Sequence, residues 1–224
     1  MKLFVDSANL AEIEEALARG FVAGITTNPS ILAKEERTDF TEHIHKIIAL
    51  VRRYGREVPL SVEVFVADPA EMLDQALKFG SAFRYPLLSV KVPIGWDELK
   101  VIAELRKRDI AVNCTCCMSF NQAYMAALAG ANYVSLFYGR IRDTGYDAKS
   151  VVEQTARAFK AGGIRSEIIV GSIRHIYDVN EALAAGADIV TVPPKFFPPL
   201  TQHQKTTEAV NQFLSDFRRW SEPT

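Results

Sequence analysis

Short apolar runs recur along the chain, and a longer stretch with helical spacing follows each one. The runs at 2–7 (KLFVDS), 24–27 (GITT), 60–65 (LSVEVF), 88–93 (LSVKVP), 111–116 (AVNCTC), 133–139 (YVSLFYG), 167–172 (EIIVGS) and 188–193 (DIVTVP) read as eight strands. NLAEIEEALARG opens on Asn9 as a helix N-cap, places Ile13, Ala16 and Leu17 on one face, and stops at Gly20. GWDELKVIAELRKRD and DVNEALAAGAD follow the same pattern. AALAGANYV and EALAAGADIV resemble each other: a helix ends on small residues, a glycine turns the chain, and a strand begins.

Eight such units in 224 residues, with no linker or composition shift between them, predict one (β/α)8 barrel spanning 1–224. An extra C-terminal helix is expected at about 204–220, where TEAVNQFLSDFRRW places Val210, Phe213, Leu214 and Phe217 on one face. The runner-up is a doubly wound open sheet, but no GxGxxG follows the first strand.

In a barrel, alternate strand residues point inward, and functional groups gather at the C-terminal strand ends. Strand one delivers Asp6 there, strand two Thr26, Thr27 and Asn28, and strand three Glu63. Strand four carries Lys91 between two valines, and strand five places Asn113 and Thr115 on one parity with Cys114 and Cys116 on the other. Strand six brings Ser135 and Phe137, then Arg140; strand seven ends in Ser172 with Arg174 beyond it. Strand eight offers only Lys195, at the start of a following helix. Each residue alone reads as a cap, a turn former or a solvated charge. Seven strands delivering polar groups to one rim read as a site.

Lys91 carries the question. One reading is a lysine that snorkels to solvent or pairs with Glu63 or Asp6. The other is an amine desolvated enough to be a nucleophile toward a ketone. Nearby carboxylates fit both readings. Arg140 and Arg174 with Ser135 and Ser172 would make an anion pocket on the adjoining rim. A lysine, carboxylates and a phosphate pocket together point to a sugar-phosphate enzyme.

The bulk numbers narrow the class. A net charge of −1 argues against nucleic acid, and no run approaches a membrane-spanning length. The three cysteines, all in NCTCCMS, cannot form a disulfide framework and suggest a reducing compartment. With no apolar leader after the first methionine, a cytoplasmic protein is expected. CTCC lacks a neighbouring histidine and reads as core rather than as a metal site. His43 and His45 sit two apart on a helix and point to different neighbours. His175 reads as a cap or a substrate contact.

FVDSANLAEI, GITTNPSILAKE, SVKVP, VNCTCCMSFNQA, GRIRD, GSIRH and DIVTVP resemble the small transaldolase and fructose-6-phosphate aldolase family. The resemblance implies a barrel enzyme that works through a lysine Schiff base with neither metal nor organic cofactor. It implies sugar-phosphate substrates, a place in the pentose phosphate pathway, and a pentamer or decamer contacted in part through the C-terminal helix. Lys91 is then the Schiff-base lysine, Asp6 the acid/base, and Glu63 with Thr115 the pair holding a water. Thr27, Asn28, Asn113, Ser135 and Phe137 line the sugar, and Arg140, Ser172 and Arg174 hold its phosphate. Glu63, Asn113 and Phe137 match the transaldolase members; aldolase members carry glutamine and tyrosine at the positions of Glu63 and Phe137. The implied reaction transfers a dihydroxyacetone unit from sedoheptulose 7-phosphate or fructose 6-phosphate to erythrose 4-phosphate or glyceraldehyde 3-phosphate. The alternatives are an aldolase releasing free dihydroxyacetone, a transaldolase acting on another C6-anionic ketose, and a silent sugar-phosphate binder. The chain departs from the family at SLFYGR, at TCCMS and at the proline-rich segment after DIVTVP. Tyr138, beside Phe137 but of opposite parity, is expected to face away from the barrel interior.

Overall fold

The computed structural model describes residues 1–55 and 57–221, in two compact units divided after Pro194. The first unit is an eight-stranded parallel barrel closed in chain order, each strand beside the next and the last beside the first. Its strands and helices run β1 (Lys2–Asp6), α1 (Leu10–Ala18), β2 (Val22–Thr26), α2 (Pro29–Leu32), α3 (Phe40–Arg53) and β3 (Leu60–Glu63). They continue through α4 (Pro69–Phe83), β4 (Leu88–Pro93), α5 (Glu98–Arg106), β5 (Ala111–Cys117), α6 (Phe120–Leu128) and β6 (Tyr133–Phe137). The unit finishes with α7 (Tyr138–Asp143), α8 (Ala148–Gly162), β7 (Glu167–Gly171), α9 (Ile176–Ala184) and β8 (Ile189–Val192). All eight predicted strands are present.

Helix boundaries follow local chemistry. The Asn9 side chain accepts from the Glu12 N–H at 3.1 Å, and Ile13, Ala16 and Leu17 are buried. Asp39, Asp68, Ser119 and Asp147 cap α3, α4, α6 and α8 in the same way, satisfying N–H groups that have no partner within the helix. The barrel interior is layered. Phe4, Ile169 and Ile189 form an apolar cluster, and two residues further along the same strands stand Asp6, Gly171 and Thr191. The period-two alternation of a strand therefore stacks a polar layer on a dry floor.

A short 3-10 turn (Pro194–Phe196) spans the division, and the second unit holds α10 (Phe197–Thr201) and α11 (Gln204–Ser221). The segment that contains Lys195 is thus a turn followed by two helices. Along α11, Phe213, Phe217 and Trp220 are exposed, and the last two rings meet at a tilt with centroids 5.7 Å apart. Among the described residues, no helix is long and apolar enough to cross a membrane, and no group of three His, Cys, Asp or Glu side chains is placed to hold a metal.

Candidate active site

Strand register brings the central residues together. Glu63 on β3 lies beside Lys91 on β4, which lies beside Asn113 on β5. The Lys91 Nζ donates to Glu63 Oε2 at 2.8 Å and to the Thr27 carbonyl at 2.9 Å. The amine is buried, so these two contacts replace the hydration it has lost. Thr27 is itself anchored, because its hydroxyl donates to the Ser61 carbonyl at 3.0 Å.

Asp6 closes the other side. Its carboxylate accepts from Thr26 Oγ1 at 2.7 Å, and Thr26 meets Thr191 Oγ1 at 2.5 Å. Burial pushes the Asp6 carboxyl above its usual range; the charge of Lys91 and the Thr26 hydrogen bond pull it down, and Glu63 adds to the rise. A carboxyl raised in this way is a stronger base than a free one, which favours taking a proton from a substrate hydroxyl.

A second polar layer spans β3 to β6. Ser61 and Ser89 share a hydrogen bond of 2.8 Å, Asn113 Nδ2 donates to Ser61 Oγ at 3.2 Å, and Ser135 Oγ donates to Asn113 Oδ1 at 2.7 Å. Thr115 follows Asn113 on the same face, and its buried hydroxyl makes no well-formed hydrogen bond among the described residues, its only polar interaction being with the Cys116 thiol. A poorly satisfied hydroxyl in a polar interior is a place for water or substrate.

The residues expected to form an anion pocket lie along the rim of β6 and β7. The Gly139 N–H donates to the Ser172 carbonyl at 3.1 Å, joining the two strand ends. A Cβ at Gly139 would lie 2.4 Å from that carbonyl and 2.8 Å from Arg174 Nε, so only glycine permits the approach. Arg174 pairs with Asp143 at 2.5 Å, and Arg140 lies over the Phe137 ring at 5.5 Å. Asp178, fully buried at the start of α9, accepts from the Arg174 and His175 N–H groups at 2.8 and 3.0 Å and from the Arg142 side chain. His175 thus sits at the cap position of α9.

The Asn28 side-chain oxygen caps α2, accepting from Ile31 N–H at 3.0 Å, so at least half of its amide serves the fold. Cys114 and Cys116 do not share a face. Cys116 adopts a left-handed backbone (φ 61°) where the β5–β6 register shifts, and Cys114 instead meets Cys117, with sulfurs 4.0 Å apart. The half-buried Cys116 thiol feels the charges of the site: burial and the Glu63 charge push it up while Lys91 pulls it down. Tyr138 faces outward as expected, its hydroxyl donating to Glu181 of α9 at 2.9 Å. His43 and His45 separate, one bonded to the Ala8 carbonyl and the other edge-on to Phe83. Thr191 makes β8 a contributor, which the sequence reading missed although its parity with Ile189 was available. Ser61 and Ser89 were legible in the same way, from Glu63 and Lys91.

A profile of the Transaldolase/Fructose-6-phosphate aldolase family matches residues 3–222. The chain belongs to this family. Among its relatives in the family, a probable transaldolase of Dehalococcoides mccartyi is 38% identical over 218 residues, covering 97% of this chain and 98% of the relative. A probable transaldolase of Alkaliphilus metalliredigens is 40% identical over 217 residues, covering 97% and 98%. Among solved structures, a thiamine phosphate pyrophosphorylase from Pyrococcus furiosus superimposes with a TM-score of 0.62 at 17% identity, covering 86% of this chain and 85% of that one. That likeness concerns the fold alone. Membership of the transaldolase/fructose-6-phosphate aldolase family marks the chain as an enzyme of that class and fits sugar-phosphate substrates.

Proposed function

We propose that the protein is a transaldolase that moves a dihydroxyacetone unit between sugar phosphates through a Schiff base on Lys91. The observation that carries this reading is the buried Lys91 amine held between Glu63 and the Thr27 carbonyl. Glu63 takes a proton from the ammonium, and the freed nitrogen attacks the C2 ketone of fructose 6-phosphate or sedoheptulose 7-phosphate. Water leaves as the imine forms, with Glu63 and the Thr115 hydroxyl holding it. Asp6 then takes the C4-hydroxyl proton while the C3–C4 bond breaks. The bonding electrons flow into the protonated imine, leaving an enamine on Lys91, and an aldose phosphate departs. An acceptor aldehyde such as erythrose 4-phosphate or glyceraldehyde 3-phosphate captures the enamine, Asp6 returns the proton, and hydrolysis frees the new ketose phosphate.

Thr27, Asn28, Asn113, Ser135 and Phe137 surround the sugar in this reading. Arg140, Ser172 and Arg174 take the phosphate, as a multidentate cationic and hydroxyl rim does. No organic cofactor or metal enters the reaction. Homo-oligomerisation through α11, as a pentamer or decamer, is part of the same proposal, as is a single functional barrel over 1–224.

The aldolase reading requires the enamine to be protonated by a positioned water. Phe137 carries no hydroxyl to hold one, and the Tyr138 hydroxyl is engaged with Glu181. Turnover of fructose 6-phosphate with and without erythrose 4-phosphate decides between them. Acceptor-dependent turnover is expected; equal turnover without acceptor, with free dihydroxyacetone released, overturns the transaldolase reading.

A further inference from the structure

We propose that Thr191 is a positioning residue for Asp6, acting through Thr26: its hydroxyl proton fills a lone pair of Thr26 and so commits the Thr26 proton to the carboxylate. The inference deepens the reading of Asp6 given above, but its direct test does not depend on that reading.

Proton counting fixes the direction of the hydrogen bonds. An ionised carboxylate only accepts hydrogen bonds, and a threonine hydroxyl has one proton to give. With Asp6 ionised, the 2.7 Å contact must use the Thr26 proton. The 2.5 Å contact between Thr26 and Thr191 must then use the Thr191 proton. The three groups form a directed chain from β8 across β1, because Thr191 and Thr26 stand on the two strands that flank Asp6. When Asp6 is protonated the chain can run in reverse. A hydrogen bond to a charged acceptor is roughly twice as strong as one between neutral groups, so the chain favours the ionised form.

The Thr191 rotamer is fixed by its surroundings. A Cβ placed on Gly171 would come within 3.3 Å of the Thr191 Cγ2 methyl, so the bare glycine on β7 makes room for that methyl. Threonine is stiff about χ1, and seating the methyl over Gly171 leaves the hydroxyl aimed at Thr26. Thr191 is buried, so water does not readily replace it.

The charged groups facing Asp6 are Lys91 from β4, Glu63 from β3 and Lys34 beyond α2. A change at Thr191 alters none of them, so any change in the Asp6 titration reports the hydroxyl chain. The experiment is a carbon-13 NMR titration of the Asp6 carboxyl in the full-length protein, with Asp6→Asn identifying the resonance. In Thr191→Val, which keeps the shape and loses the hydroxyl, the midpoint rises by about half a pH unit or more. Thr191→Ser, which keeps the hydroxyl but not the methyl, falls closer to the parent than Thr191→Val does. Thr191→Ala gives the same rise without a branched side chain and stands in for Thr191→Val should that variant not fold. A midpoint unchanged in the hydroxyl-free variants, or a serine variant no closer to the parent than valine, overturns the proposal. The transaldolase reading fails separately, by loss of the lysine adduct, and leaves this titration intact.

Discussion

The Lys91 amine lies 2.8 Å from the Glu63 carboxylate with 5% and 14% of the two side chains exposed. A pair this dry holds together chiefly because each charge neutralises the other. Removing one partner leaves the other buried and uncompensated, which costs about 3 kcal/mol. Glu63→Met and Lys91→Met are each expected to lose stability of that order in urea unfolding. The double variant Lys91→Met/Glu63→Met recovers most of it, because two apolar side chains replace two desolvated charges. Equal losses that simply add in the double variant contradict a coupled pair.

Asp6 makes the opposite prediction. Its folded pKa lies above the unfolded value because burial disfavours the charge. Between those two values the native state binds more protons than the unfolded state, so stability falls as pH rises through that window. The destabilising contribution is absent below the unfolded pKa and complete above the folded one. Asp6→Asn removes it: the variant melts above the parent at neutral pH, and the difference shrinks toward pH 4. Its proposed acid/base role predicts loss of turnover in the same variant, an exchange of activity for stability. A variant that melts below the parent at neutral pH and above it at pH 4 reverses the expected sign.

The three cysteines separate by reactivity. Cys114 and Cys117 are buried, and Cys116 is partly open beside Lys91 and Glu63. Iodoacetamide is expected to label Cys116 first, slowly at pH 7 and faster in alkaline buffer, because burial raises the thiol. Fructose 6-phosphate slows the labelling if substrate occupies the proposed site. Peptide mass mapping that finds Cys114 or Cys117 labelled first contradicts the turned conformation at Cys116.

Phe137 and Tyr138 are adjacent but serve different parts of the molecule. Tyr138→Phe removes one hydrogen bond to Glu181 and is expected to cost about 1 kcal/mol with no change in the ratio of transfer to free dihydroxyacetone. Phe137→Tyr places a hydroxyl where the ring lies beneath Arg140 and is expected to raise dihydroxyacetone release. A Tyr138→Phe variant that changes the ratio means that the hydroxyl reaches the reaction.

The barrel was legible because eight strand–helix units repeat with clear period changes, and a closed parallel sheet needs little else. The inward parity of Asp6, Glu63, Lys91, Asn113 and Thr115 was legible for the same reason. What escaped was set by tertiary geometry. Cys116 broke the alternation because a left-handed residue and a register shift turned its side chain, and nothing in TCCMS marks that bulge. Asp178 looks like any acid in a first helical turn, yet it organises the loop bearing Arg174. Thr191 was readable from parity, but a lone threonine in an apolar strand does not reveal a partner on β2 that lies 165 residues away in sequence. Asn28 is capping a helix, the ordinary role for its residue type, and the sequence offers no means of separating that role from a sugar contact.

The central claim is a covalent bond between Lys91 Nζ and a ketose carbon. Incubation with fructose 6-phosphate and borohydride, followed by peptide mass spectrometry, tests it directly. The account predicts a reduced three-carbon adduct on Lys91 that is absent in Lys91→Met. An unmodified Lys91 under conditions that trap a known Schiff-base aldolase contradicts it.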